Sequence, residues 1–241
     1  LKNSAMRLPF ANTPTVVKNL LIINIIFYIA TLLFSKGGAY TMVEYFGVFY
    51  FDSPNFKIWQ VITYMFMHSP VSFAHILFNM FALYTFGSQL EYLFGAKRFL
   101  NFYLITGLGA LALQMAIQAM EVYGIAGSIT IDVASYTSTN PDHLRTLQEI
   151  YYGPMLGASG AIFGLLTAFG LLFPNAELFI MFIPVPLKAK YIIPVYIVIE
   201  LFLGVAQFSG DSVAHFAHLG GALFGFILMK VWRIRKPWDF Y

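Results

Sequence analysis

Hydrophobic positions in this chain fall in long blocks rather than in a strict alternation. Six stretches are long enough to matter: 16–34, 73–94, 99–117, 155–173, 191–207 and 213–232. A helix of roughly 20 mostly apolar residues crosses the hydrocarbon core of a bilayer, so the pattern predicts six membrane-spanning helices. Two long segments separate them, at about 37–72 and 121–154. The second contains SYTSTNPDHLRTLQE, polar and rich in Ser and Thr, with turn signals and no strong period; it reads as a loop. No internal repeat is evident, which removes support for an inverted-repeat transporter. The first block, 20–34, has no small-residue cleavage site in a suitable place and further spans follow it. It is therefore expected as a retained span rather than a cleaved signal.

Composition agrees with the blocks. Hydrophobic residues make up 59% of the chain and charged residues only 10%, too few to cover a soluble domain of this size. The expected fold class is an all-α membrane protein, one domain over 1–241, with a six-helix bundle. With no cysteine in the chain, a disulfide framework, a thiolate metal site and a cysteine nucleophile are excluded. The net charge of +3 gives no reason to expect a nucleic-acid partner.

Charge placement sets orientation. With both termini on one side, that side carries Lys2, Arg7, Lys18, Lys97, Arg98, Lys188, Lys190, Lys230, Arg233, Arg235 and Lys236. The other side carries only Lys36, Lys57 and Arg145. The positive-inside rule then puts both termini on the cytoplasmic side and both long loops outside. The basic inner face suits a bacterial cytoplasmic membrane, with any site opening outward.

Polar groups inside a bilayer are costly and so informative. In this orientation the second, fourth and sixth spans all enter from the outer face. They bring His75 and Asn79, Ser159, and His215 and His218. Ser159 and His218 each lie 14 residues before the inner end of their span, Asn79 lies 15, and at 1.5 Å per residue all sit roughly 21–22 Å above that boundary. Gly157, Gly160 and Gly164 on one span, and Gly221, Ala222 and Gly225 on the other, permit close approach of two helix backbones. A serine needs a base to become a nucleophile, and neutral histidine serves near pH 7. His75 and Asn79, four residues apart on one helical face, can donate to an oxyanion, as can the first-turn Ser159 amide. All five aspartates (52, 132, 142, 211, 239) fall in loops or the tail, so a Ser–His dyad fits better than a triad. His215 is the rival for the base; His68, His143 and His215 are otherwise read as interfacial or structural.

Four segments together, HILFN (75–79), GSQLEYLFG (87–95), GASGAIFG (157–164) and AHLGGALFG (217–225), resemble the rhomboid family of intramembrane serine proteases in order and placement. The resemblance implies a serine endopeptidase that cleaves transmembrane segments of other proteins, with no cofactor and no metal; its partners are transmembrane protein substrates and membrane lipid. It implies Ser159 as nucleophile and His218, rather than His215, as base. His75 and Asn79, with backbone amides around Ser159 at Gly157 and Ala158, correspond to the oxyanion hole. Phe163 matches an aromatic position packed on the catalytic histidine. Gly160, Gly221 and Gly225 match supporting small residues, and Glu91 matches a structural hydrogen-bonding position. Two departures stand out. Trp59-Gln60 replaces a Trp-Arg pair of many relatives, a loss expected to loosen the first loop. The loop before the fourth span is unusually long and is expected to cap the outer mouth.

The alternative is a rhomboid-like pseudoprotease that binds or escorts membrane clients without cleavage; such proteins typically lack the serine or the histidine, and this chain has both. A transporter or channel would rest on Glu200 in the fifth span, an isolated carboxylate that otherwise bonds a neighbouring helix. That span, with the 208–214 loop, is the expected side entrance because it carries no catalytic group. HExxH and paired membrane aspartates are absent from the sequence, which discounts the zinc and aspartyl classes.

Overall fold

The computed structural model describes residues 13–34, 41–178, 186–206 and 214–234. Lys2, Arg7, Lys36, Asp211, Arg235, Lys236, Asp239 and most of the 208–214 loop lie outside the described residues.

The apolar blocks form helices. The first is α1 (Thr15–Phe34); α2 (Met42–Phe46) and α3 (Gln60–Thr63), continued by a 3-10 turn at Tyr64–Phe66, lie in the segment after it. The second block is α4 (Phe73–Ala82) and α5 (Ser88–Phe94), joined by a π-helical turn over Leu83–Gly87. Then come α6 (Ala96–Ala126), α7 (Pro141–Tyr152) and α8 (Ser159–Leu172). A two-stranded antiparallel ribbon, β1 (Glu177–Leu178) with β2 (Leu187–Lys188), precedes α9 (Ala189–Ala206) and α10 (His215–Val231). Among the described residues, α1, α6 and α9 are long and apolar enough to cross a membrane; α8 and α10 are shorter apolar helices.

Two boundaries differ from the sequence expectation. The third block continues well past 117, to Ala126, and ends where Gly127 takes a left-handed conformation (φ 71°). The supposed loop 121–154 contains the helix α7. Asn140 caps it by accepting from the Asp142 N–H, Pro141 occupies the first turn, and Leu147, Ile150 and Tyr151 are buried on one face.

At the centre α6, α8 and α10 pack on one another. Contact between α8 and α10 depends on missing side chains: a methyl group at Gly221 would overlap the Gly160 carbonyl, and one at Gly225 would sit 2.7 Å from the Gly164 carbonyl oxygen. The main core gathers Leu83, Phe99, Phe102, Tyr103, Ala161 and Leu165 between these helices. Outward faces of α1 (Ile22, Ile26, Ile29, Leu33) and α9 (Val195, Val198, Phe202, Val205) are exposed and apolar, as helices bathed in lipid require.

Glu91 joins two elements at the other end. Its carboxylate accepts from the Val16 N–H (2.9 Å) and the Val17 N–H (2.7 Å), capping the otherwise unpaired first turn of α1.

Gln60 corrects the expectation of a loosened first loop. It is fully buried. Its amide nitrogen donates to the carbonyls of Glu44 (3.3 Å), Tyr45 (3.4 Å) and Asn55 (3.2 Å), while its oxygen accepts from the Lys57 N–H (2.9 Å). A guanidinium has no acceptor, so glutamine serves this loop with chemistry that arginine lacks.

The 121–154 region folds onto the same loop. Ser53 donates to the Tyr151 carbonyl (2.6 Å), Tyr50 to the Ile129 carbonyl (2.8 Å), and Tyr151 to the Asp52 carboxylate (2.7 Å). Tyr50, Val122, Leu147, Ile150 and Tyr151 form the small core beneath.

Candidate functional site

The segment leading into α8 is extended and held from one side. Val48 and Met155 exchange two backbone hydrogen bonds (2.8 and 2.9 Å), and the Gly157 N–H donates to the Tyr64 carbonyl (3.0 Å). Gly157 then adopts φ 129°, a conformation that side chains disfavour. A Cβ there would stand 3.0 Å from His75 Nε2 and 3.5 Å from Ser159 Oγ, so this glycine is the floor between the two groups. The chain next turns helical with Ala158 as cap and Ser159 as the first residue of α8. First-turn amides have no partner within their own helix, which leaves the Ser159 N–H directed out of the helix end.

His218 meets this serine from the first turn of α10. Its Nε2 lies 2.7 Å from Ser159 Oγ, and its ring stacks on Phe163 at 4.4 Å between centroids, 8° from parallel. Phe163 in turn contacts Tyr196 of α9 at 5.0 Å. His218 and Phe163 are buried, whereas Ser159 and His75 are half-buried.

On the far side of His218 stands a residue that the sequence reading did not place here. Glu200, on the buried face of α9, brings Oε2 to 2.8 Å from His218 Nδ1 and to 2.7 Å from His215 Nδ1. This corrects three expectations. An acid does reach the histidine, so the arrangement has three members rather than two. The fifth span does carry a group of the site. His215 is buried against Glu200 rather than interfacial. The sequence carries a signal for Glu200 that the positions of the aspartates do not reveal. Glu200 lies six residues before the end of α9 and His218 three residues into α10, about 9 Å and 4.5 Å from the same connecting segment at 1.5 Å per residue.

His75 and Asn79 stand one turn apart on α4. Asn79 donates to the His75 carbonyl at 2.7 Å, which occupies one of its two amide hydrogens. The Gly157 amide, matched to an oxyanion donor, is instead committed to Tyr64, and its part is to make room beside His75. His68 packs against His75 at 5.1 Å between rings. Burial, and then the neighbouring His75, push His68 down to about 3, so this imidazole is neutral at physiological pH.

Glu200, His215 and His218 also form a donor set of the kind that binds metal ions, with all three ligand atoms within 4.8 Å. Zinc–nitrogen and zinc–oxygen bonds of about 2.0–2.1 Å in a tetrahedron would separate ligand atoms by about 3.3–3.4 Å. The contacts at 2.7 and 2.8 Å are shorter and are those of hydrogen bonds.

The rhomboid domain model matches residues 55–234, which include Ser159, His218, Glu200, His215, His75 and Asn79. The chain is 28% identical over 208 residues to an uncharacterised mitochondrial rhomboid protein of Schizosaccharomyces pombe, covering 74% of this chain and 52% of the relative. It is 32% identical over 164 residues to mitochondrial rhomboid protein 1 of Saccharomyces cerevisiae, covering 68% and 39%. It is 29% identical over 206 residues to the mitochondrial presenilin-associated rhomboid-like protein of Bos taurus, covering 82% and 45%. The chain thus spans about half the length, or less, of the curated relatives it matches. These relatives are named as mitochondrial proteins of eukaryotes, which overturns the bacterial cytoplasmic membrane and points to a mitochondrial one. Lysine and arginine asymmetry reports which side of a membrane a loop occupies, not which membrane it is. On the match over residues 55–234, this chain belongs to the rhomboid family.

Proposed function

We propose that this chain is an intramembrane serine endopeptidase that cuts transmembrane segments of other membrane proteins, with Ser159 as nucleophile and His218 as general base. The observation that carries this reading is the 2.7 Å approach of His218 Nε2 to Ser159 Oγ between two separate helices, within hydrogen-bonding reach of a nucleophile–base pair. His218 takes the hydroxyl proton as Oγ attacks the scissile carbonyl. The resulting oxyanion accepts hydrogen bonds from the Ser159 N–H and from His75 and Asn79. His218 then returns the proton to the leaving amine, and a water deacylates Ser159 with the same histidine as base. No step calls for a cofactor.

Six spans, with the basic ends on one side and Ser159 nearer the other, complete the proposed topology. The site then opens to the face opposite Lys97, Arg98, Lys188 and Lys230. A helical substrate must unwind locally there, because peptide bonds inside a helix are shielded. A transporter built on Glu200 loses its main support, since that carboxylate is engaged by two histidines.

The test is covalent labelling. Full chain in detergent micelles is treated with a fluorophosphonate, and the adduct is mapped by mass spectrometry. Labelling of Ser159, abolished in Ser159→Ala and slowed at least ~10²-fold in His218→Ala, is the expected result. Folded protein that takes no label on Ser159 would favour the client-binding pseudoprotease.

A further inference from the structure

We propose that Glu200 is the positioning residue for His218, fixing the tautomer and rotation of the base from a third helix, with His215 holding the carboxylate in place. The inference rests on Ser159 and His218 being nucleophile and base.

The argument begins with hydrogens. For Nε2 of His218 to accept the Ser159 proton, the single hydrogen of the neutral ring must sit on Nδ1. That N–H lies in a buried environment where an unmade hydrogen bond is costly. Glu200 Oε2 is its acceptor at 2.8 Å. An ionised carboxylate is acceptor-only, so it selects this tautomer and rejects the other, in which Nδ1 would present a lone pair to Oε2. The same oxygen accepts from His215 Nδ1 at 2.7 Å. His215 and His218 are three residues apart, on one face of α10, and together they grip one oxygen of a side chain that is 4% exposed.

Ring rotation is fixed as well. His218 is held at Nδ1 by α9, at Nε2 by α8 and on its face by Phe163. When His218 takes the serine proton, the positive charge forms 2.8 Å from Glu200, so the carboxylate acts most strongly in the charged state through which the reaction passes. Glu200 itself touches no reacting atom. At this level α9 cannot move away from α10 without releasing the base, so a substrate that displaces α9 must leave residue 200 in place.

The experiment uses the full chain in micelles with a fluorogenic transmembrane peptide and the fluorophosphonate. Glu200→Gln and Glu200→Ala are expected to lower kcat at least ~10²-fold with KM changed less than about two-fold, and labelling of Ser159 slows in proportion. Glu200→Asp recovers part of the loss. A structural role alone would instead change thermal unfolding and KM and leave kcat of the folded fraction intact; that outcome overturns the proposal. If Glu200→Ala does not fold, the near-isosteric Glu200→Gln carries the test. A second readout is independent of turnover. In protein labelled with ¹⁵N-histidine, a downfield Nδ1–H resonance of His218 is expected in wild type and in Ser159→Ala, and is lost in Glu200→Ala. Its absence from wild type overturns the proposal. Wild type that neither cleaves nor labels removes the protease reading, and the positioning role falls with it, while the resonance still reports whether the hydrogen bond exists.

Discussion

Gly157 shows how much chemistry here hangs on an absent side chain. Its φ of 129° and the 3.0 Å gap to His75 Nε2 leave no room for a methyl group. Gly157→Ala should therefore push His75 away from the serine and lower kcat by about 10²-fold, similar to removing one oxyanion donor, while labelled protein remains folded. Steady-state cleavage of the fluorogenic peptide checks this. His68 gives a prediction in pH. Its folded value of about 3 lies below the usual histidine range because of burial and then His75. The folded state thus favours the neutral ring, and the unfolded chain takes up a proton below about 6.5. This contribution to stability is full above pH 6.5 and is lost as pH falls from there toward about 3. Thermal unfolding of wild type from pH 7 to pH 4 should decline more steeply than that of His68→Phe; parallel curves would contradict it. Ser159, His218 and Asn79 were legible as residue types at matching depths on three spans, His75 by its spacing from Asn79, and Phe163 only through the family resemblance. Glu200 was legible only as an intramembrane carboxylate: its distance from the segment joining α9 and α10 hints at His218, but the lateral contact between the two helices is not encoded in hydropathy.

Elements follow two different rules, and the sequence reveals one more readily. Apolar blocks report the thickness of a bilayer, so α1, the α4–α5 pair, α9 and α10 begin and end within a few residues of the expected limits. Helix ends outside the apolar blocks are set by caps. Gln118 and Glu121 interrupt the third apolar block, yet α6 runs on to its left-handed Gly127. Likewise Asn140-Pro141-Asp142 starts α7 inside a segment whose overall polarity suggested a loop. Gln60 belongs to this scale too, since it ties three stretches of the first loop to one another through backbone partners. Gln60→Ala should remove the donor to the Glu44 and Asn55 carbonyls and the acceptor of the Lys57 N–H, destabilising the fold by about 1 kcal/mol per bond lost, read as a lowered thermal midpoint. Gln60→Arg should not restore it, because arginine cannot accept from the Lys57 N–H.

Across the whole molecule, three helices converge on one imidazole, and the first loop packs with the 121–154 region into a folded layer. Helices α8 and α10 can meet because Gly160 and Gly221 remove the atoms between them, and α9 packs on both, through Tyr196 against Phe163 and through Glu200 against His218. The first loop and the 121–154 region share a core and several hydrogen bonds, so they act as one layer that also anchors Gly157 through Tyr64. The relatives named as mitochondrial point away from a bacterial membrane, and no residue in this site speaks to the membrane's identity. The most direct test of the account is cleavage of a single-pass transmembrane substrate co-reconstituted with the full chain in liposomes. Wild type should release two fragments cut within or at the edge of the substrate's transmembrane helix, and Ser159→Ala and His218→Ala should release none. Fragments of the same size from Ser159→Ala, or an intact substrate with folded wild type across several helix-destabilised substrates, would contradict it.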